Sequence, residues 1–240
     1  MSYLITIAAS VIAVLFVFIP HELAHAFVAY KNGDYTAKMY GRLTLNPLKH
    51  IDPLGIVLCI FTGFGWAKPV PINPANFTHY RRGLFTTAVA GVITNYIIAF
   101  IAYPLYLVIS VYALPEIEAA TSLYYLVSFF DRIFFLIFLY SLSVFIFNLL
   151  PLYPLDGFRV VESLTREVNP VRRFLRNYGY YILIFLVLES FLCDKLVQYT
   201  DLSIFEYFDI LGYVQWFARN IIGFPITALW NAVFGLPVGI

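Results

Sequence analysis

Charge is what this sequence has least of. Of 240 residues, 15 are Lys or Arg and 14 are Asp or Glu, 12% together, against about 25% in a soluble domain. With 61% apolar residues and a mean hydropathy of +0.81, the shortage excludes an ordinary soluble domain and indicates an integral membrane protein. Basic and acidic tails are both missing and the formal net charge is +1, so there is no electrostatic footprint for nucleic acid. Cysteine is nearly absent: Cys59 and Cys193 are too few for a disulfide framework or a thiolate metal centre. No repeat, no low-complexity linker and no matched pair of broken apolar helices, as in many transporters, is visible. The first apolar run lacks a basic n-region in front of it, so it is expected to be a retained span and not a cleaved leader.

Long apolar runs are what the sequence has most of. A spanning helix needs about 20 such residues. Residues 3–30 suffice, with Pro20 expected to kink the helix just before His21 and Lys31-Asn32-Gly33-Asp34 to stop it. Gly83–Ala113 and Leu123–Leu150 are the second and third spans, the last stopped by Pro151 and Pro154. Tyr178–Cys193 is a shorter fourth, and residues 203–240 form one broken span or two interfacial helices. Between the first two spans the period changes. Ala37, Met39, Gly41, Leu43 and Leu45 alternate with polar or charged neighbours, a strand-like pattern. Leu54–Phe64 is too short to cross, and the proline-punctuated Trp66–Pro74 must be extended. The expected fold is therefore an all-α polytopic membrane protein: a three-helix core, additional C-terminal membrane helices and a small β or extended segment on the cytoplasmic side. The expected division is a core at 1–160 and C-terminal membrane segments packed on it at 161–240.

Basic residues set the orientation. Seven lie in 31–82 and five in 151–177, twelve of the 15, which puts both segments in the cytoplasm and the N-terminus outside. The end of span one and the end of span three then arrive at the same side of the membrane.

That coincidence gives meaning to His21-Glu22-Leu23-Ala24-His25, near the end of span one. Residues four apart stack on one helix face, so His21 and His25 can grip one metal ion and Glu22 can take a proton from the attacking water. Ionisable groups at membrane depth are costly and mark function. A catalytic zinc usually has three protein ligands. Asp156, freed from helix by Pro151 and Pro154 at the end of span three, is the best third candidate, its plainer reading being a helix cap. Asn95 is the most polar residue of span two and Asn148 lies near the end of span three, although asparagine within a span also serves to bond helix to helix. His50 reads as a surface loop histidine, and Asp131-Arg132 as an interfacial pair.

HELAH, the stretch GRLTLNPLKHIDPLG, GWAKPVPINP, AGVITN and NLLPLYPLDG together resemble the site-2 protease family of intramembrane zinc metalloproteases, in its compact prokaryotic form without PDZ or CBS modules. The resemblance spans roughly residues 15–160. It implies one zinc ion held by His21, His25 and Asp156, Glu22 as general base and acid, and Asn148 and Asn95 on the substrate side, with Val92 standing where the family has proline before Asn95. It further implies a multi-pass protein of the cell (plasma or inner) membrane, cutting transmembrane protein or peptide substrates near the cytoplasmic side. The bilayer and that substrate are the expected partners. The rival reading is a non-catalytic metal-binding membrane protein, a transporter or an inactive scaffold. An edge formed by 36–45 and 69–73 is the expected place to hold an unwound substrate.

Overall fold

The computed structural model describes residues 3–55, 68–119, 121–200 and 202–237. Three long helices dominate: α1 (Tyr3–Lys31), α3 (Tyr80–Leu107) and α4 (Ser122–Leu149), with a single helical turn, α2 (Thr36–Met39), between the first two. All three long helices are long and apolar enough to cross a membrane, the second continuing as far as Glu116. The chain is an all-α membrane protein.

A four-residue spacing of buried side chains runs down both of the first two long helices. On α1 it is Ala9, Ala13, Val17, His21, His25 and Ala29. On α3 it is Thr87, Gly91, Asn95, Ala99, Tyr103 and Leu107. Positions four apart share a helix face, so each helix turns one narrow stripe inward. Alanine and glycine on those stripes let the backbones approach closely, which is how apolar helices associate where no hydrophobic drive separates them from lipid. Ile133, Leu136, Ile137, Phe138 and Leu142 of α4 complete the core. The imidazoles thus extend the inward-facing stripe of α1, beyond the point where the core is purely apolar. The helix continues through Pro20 without interruption.

The expected strand at 36–45 is not formed, and no strand occurs among the described residues. The cause is local. Asp34 Oδ1 accepts from Thr36 N, which starts a helical turn. Gly41, at φ +64°, then ends it with Gly41 N donating to Lys38 O and Arg42 N to Ala37 O, the double bond pattern of a left-handed helix cap. Met39 and Leu45, which an inward-facing strand would bury, are 84% and 62% exposed. Residues 68–73 form neither helix nor strand; Asn73 is extended, and the prolines at 69 and 71 bias Lys68 and Val70 the same way. The short apolar segment 54–64 lies mostly outside the described residues, as do Trp66 and Ala67.

After α4, the chain turns through Pro151–Leu155 into α5 (Asp156–Leu164) and then α6 (Pro170–Thr200). The expected fourth span is a helix, but α6 does not join the three that are long and apolar enough to cross, because charges at Arg172, Arg173, Arg176, Glu189, Asp194 and Lys195 interrupt it. The described residues 203–237 hold two short α-helices, α7 (Ile210–Phe217) and α8 (Phe224–Val233), joined by the π-helical turn Ala218–Ile222. Ala218 and Ile226 enter the core. Tyr103 donates to Asn231 Oδ1 at 3.0 Å and Trp230 Nε1 to Phe100 O at 3.0 Å, which fastens this end of the chain to α3.

Candidate metal centre and active site

The end of α1, the start of α3 and the chain beyond α4 meet at one end of the bundle. There His21 Nε2 and His25 Nε2 lie 2.9 Å apart, and Asp156 Oδ2 lies 3.3 Å from the first and 2.9 Å from the second. All three residues are buried, at 3%, 3% and 7% exposed. They are a group of three able to offer one ligand atom each to a single ion. Zinc ligands at about 2.0–2.1 Å in a tetrahedron are about 3.3 Å apart, so this triangle fits one zinc once its two 2.9 Å edges open slightly. Asp156 Oδ2 also has no well-formed hydrogen bond. A buried acceptor in that state, facing two ring nitrogens, suits a cation.

Each of the three candidate ligands is aimed by something specific. His25 Nδ1 is 2.7 Å from the carbonyl of Thr87. That carbonyl can only accept, so the ring proton sits on Nδ1 and Nε2 keeps its lone pair. His21 Nδ1 faces Asn95 Nδ2 at 3.0 Å. Gly91 lies between these two contacts: a Cβ there would come within 2.3 Å of His25 Nε2 and 2.7 Å of His21 Cε1. Both imidazoles therefore press on bare helix backbone.

Asp156 is the first residue of α5, where the helix dipole favours a carboxylate. Gly157 allows that helix to start against α4, since a Cβ there would meet the carbonyls of Leu149 and Leu150 at 2.4 Å. Glu162 pairs with Arg172 and Arg176 and so ties α5 to α6.

Glu22 is partly buried. Its Oε2 accepts from Val70 N at 2.8 Å. Val70 belongs to the strap 68–73, whose donors are largely committed. Lys68 N bonds His50 O, Asn73 N bonds Asp34 Oδ2, and Pro69 and Pro71 have no N–H. Arg42 holds the carbonyls of Lys68 and Pro69. His50 is fully buried beneath this strap, with Nε2 bonded to Thr44 O at 2.7 Å. It is not the surface histidine that its polar neighbours suggest, because its carbonyl anchors the strap through Lys68 N and its ring bonds the carbonyl of Thr44.

Asp34 is the other anchor. With no exposed surface, it accepts from Thr36 N and Oγ1, Asn73 N and Asn76 Nδ2. Burial alone would raise its carboxyl; bonds from Thr36, Asn76 and Asn73 bring it below the ordinary range. A depressed carboxyl stabilises the fold above its unfolded pKa of about 3.9 and loses that contribution as pH falls through the folded value. Asp34→Ala should lower stability by about 2 kcal/mol, the scale of bonds to a charged acceptor, in chemical unfolding at pH 7. The gap from wild type should close in acid; a constant gap at every pH would remove the charge from the explanation.

Of the residues picked out in the sequence, His21, His25 and Asp156 come together, Glu22 lies beside them through the helix, and Asn95 touches His21. Asn148 bonds Val144 O on its own helix at 3.1 Å and makes no bond to the cluster. Thr87, Gly91, Val70 and Asp34 are not site candidates by sequence, Gly91 appearing there only inside AGVITN and Asp34 only in the helix stop. The spacing of Thr87, Gly91 and Asn95, one per turn, is the signal that would have found the first two.

The profile of peptidase family M50 matches residues 9–189. YwhC of Bacillus subtilis (strain 168) is 44% identical over 180 residues, covering 74% of this chain and 78% of YwhC. Rip2 of Mycolicibacterium smegmatis (strain ATCC 700084 / mc(2)155) is 26% identical over 220 residues, covering 89% of this chain and 77% of Rip2. Both bear zinc-metalloprotease names. No solved structure matches.

Proposed function

Because the chain belongs to peptidase family M50, we propose that it is a zinc-dependent intramembrane endopeptidase that hydrolyses peptide bonds of transmembrane-helix substrates near the cytoplasmic side of a cell membrane. The observation that carries this reading is the buried triangle of His21, His25 and Asp156 with Glu22 alongside, at the shared end of three apolar helices. The names of YwhC and Rip2 support zinc.

His21, His25 and Asp156 would hold one zinc ion through Nε2, Nε2 and a carboxylate oxygen. When bound, zinc polarises the scissile carbonyl and makes water a nucleophile near neutral pH, with a pKa of about 7. Glu22, steadied at Oε2 by Val70 N–H, takes the proton of the attacking water at Oε1 and returns it to the leaving amine. Asn148, at the end of α4, is the amide proposed to contact substrate. A transmembrane helix must unwind before its peptide bonds can be reached, since each is shielded by the next turn. Residues 1–160 contain this machinery, and 161–240 pack behind it. The clustering of twelve of the 15 basic residues in 31–82 and 151–177 supports an outside N-terminus and an active site toward the cytoplasm. A non-catalytic metal site would leave Glu22 only the Val70 N–H to hold, with no use for its second carboxylate oxygen.

Reconstitution with single-span substrates tests this. Cleavage should stop with a zinc chelator, return with added zinc, and map by mass spectrometry inside the apolar span. Cuts confined to soluble flanking sequence would overturn the intramembrane reading, and chelator-resistant cuts the metal reading.

A further inference from the structure

One buried amide has no task in the chemistry above. Asn95 is 0% exposed. It projects from the middle of α3, its Nδ2 lies 3.0 Å from His21 Nδ1, and its Oδ1 has no hydrogen-bond partner. The ligand geometry puts a condition on this contact. His21 faces Asp156 and His25 through Nε2, and a ring nitrogen can bind a metal ion only through a lone pair. With Nε2 so used, the neutral ring carries its proton on Nδ1, and Nδ1 needs an acceptor. The amide NH2 group cannot be one. The amide oxygen can, and nothing else among the described residues engages it. A half-turn of the amide exchanges the two atoms without changing the shape of the side chain.

We infer that Asn95 is the positioning residue of His21: its side-chain carbonyl accepts the Nδ1 proton and holds the ring with the Nε2 lone pair facing Asp156 and His25. This inference rests on the metal reading proposed above. It is supported by the matched arrangement one turn further along α1. His25 Nδ1 is 2.7 Å from the backbone carbonyl of Thr87, two turns before Asn95 on α3. The two helices run antiparallel, so the histidine nearer the membrane interior meets position 95 and the other meets position 87. Backbone supplies the acceptor to one imidazole and a side chain supplies it to the other. Hydrogen bonds of this kind fix the tautomer and raise the basicity of a metal ligand. Asn95 in this role touches the ligand, not the substrate.

The test is zinc affinity of the full-length protein in detergent, measured by chelator competition. Asn95→Leu, close in volume but without an acceptor, should weaken zinc binding by about 10–100-fold, the usual effect of losing such a partner. Asn95→Asp, which presents only acceptors, should stay within a few-fold of wild type. Cobalt(II) loading provides a second readout: the visible bands of Asn95→Asp should match wild type and those of Asn95→Leu should shift. Asn95→Ala replaces the leucine variant if that one does not fold. Unchanged affinity without the acceptor overturns the inference. Equal weakening in Asn95→Asp and Asn95→Leu also overturns it, because packing alone would then explain the position. A wild-type protein that binds no zinc would instead fail the metal reading itself, which keeps the two failures distinguishable.

Discussion

Glu22→Gln should carry wild-type zinc and lose about 10²–10⁴-fold in peptide-bond hydrolysis, the range expected for removing a general base. The structure makes this substitution unusually clean. Glu22 accepts from Val70 N through one carboxylate oxygen, and glutamine retains an oxygen that can accept the same bond. The strap 68–73 therefore stays attached, and His21, His25 and Asp156, which form the triangle without Glu22, keep their places. What disappears is the group that takes and returns the proton. Metal analysis of the purified variant, together with product mapping on a single-span substrate, separates the two effects. Activity within tenfold of wild type would remove Glu22 from the chemistry, and loss of zinc along with activity would mean that it acts on the ligands instead.

Gly91→Ala is expected to be nearly as severe although it adds a single methyl group. The added carbon would lie within 2.3 Å of His25 Nε2 and 2.7 Å of His21 Cε1. A flexible side-chain end could move aside cheaply, but these rings cannot. His25 is tied to Thr87 O, His21 faces Asn95, and both face Asp156. Displacement by about 1 Å at a reacting centre costs on the order of 10²-fold in rate, and here the metal ligands themselves would be displaced. Zinc affinity and hydrolysis should fall together while the apolar packing of α1, α3 and α4 persists, since Gly91 adjoins the site and the core residues lie further along the stripe. Circular dichroism and thermal unfolding of the variant check that persistence. Wild-type zinc affinity in Gly91→Ala would show that the imidazoles do not lie against α3 as described.

The two variants differ in how readable they were. Glu22 stands in a pentapeptide whose spacing by itself points to metal chemistry. Gly91 enters the sequence only as part of the AGVITN motif, with no role attached, and only the antiparallel contact of α1 with α3 shows that two imidazoles occupy the space a side chain would need.

The membrane class, the three long apolar helices and the placement of His21 and His25 one turn apart with Glu22 beside them were legible in the sequence, because hydropathy and helical period are local properties. The sequence also pointed to Asp156, since prolines after an apolar helix release a polar residue from it. Tertiary structure decided the rest. The alternation at 36–45 was overruled by Asp34 capping Thr36 and by Gly41 closing the turn, a contest between local bonds that period counting does not weigh. His50, polar and flanked by charge, was buried because the strap 68–73 needed an anchor from a segment distant in sequence. Asn95 met His21 across 74 residues because α1 and α3 each turn a four-residue stripe inward. One stripe is visible in one helix; which side chains meet where two stripes pack depends on their register, and register is set by the close approach of backbones that no single segment specifies.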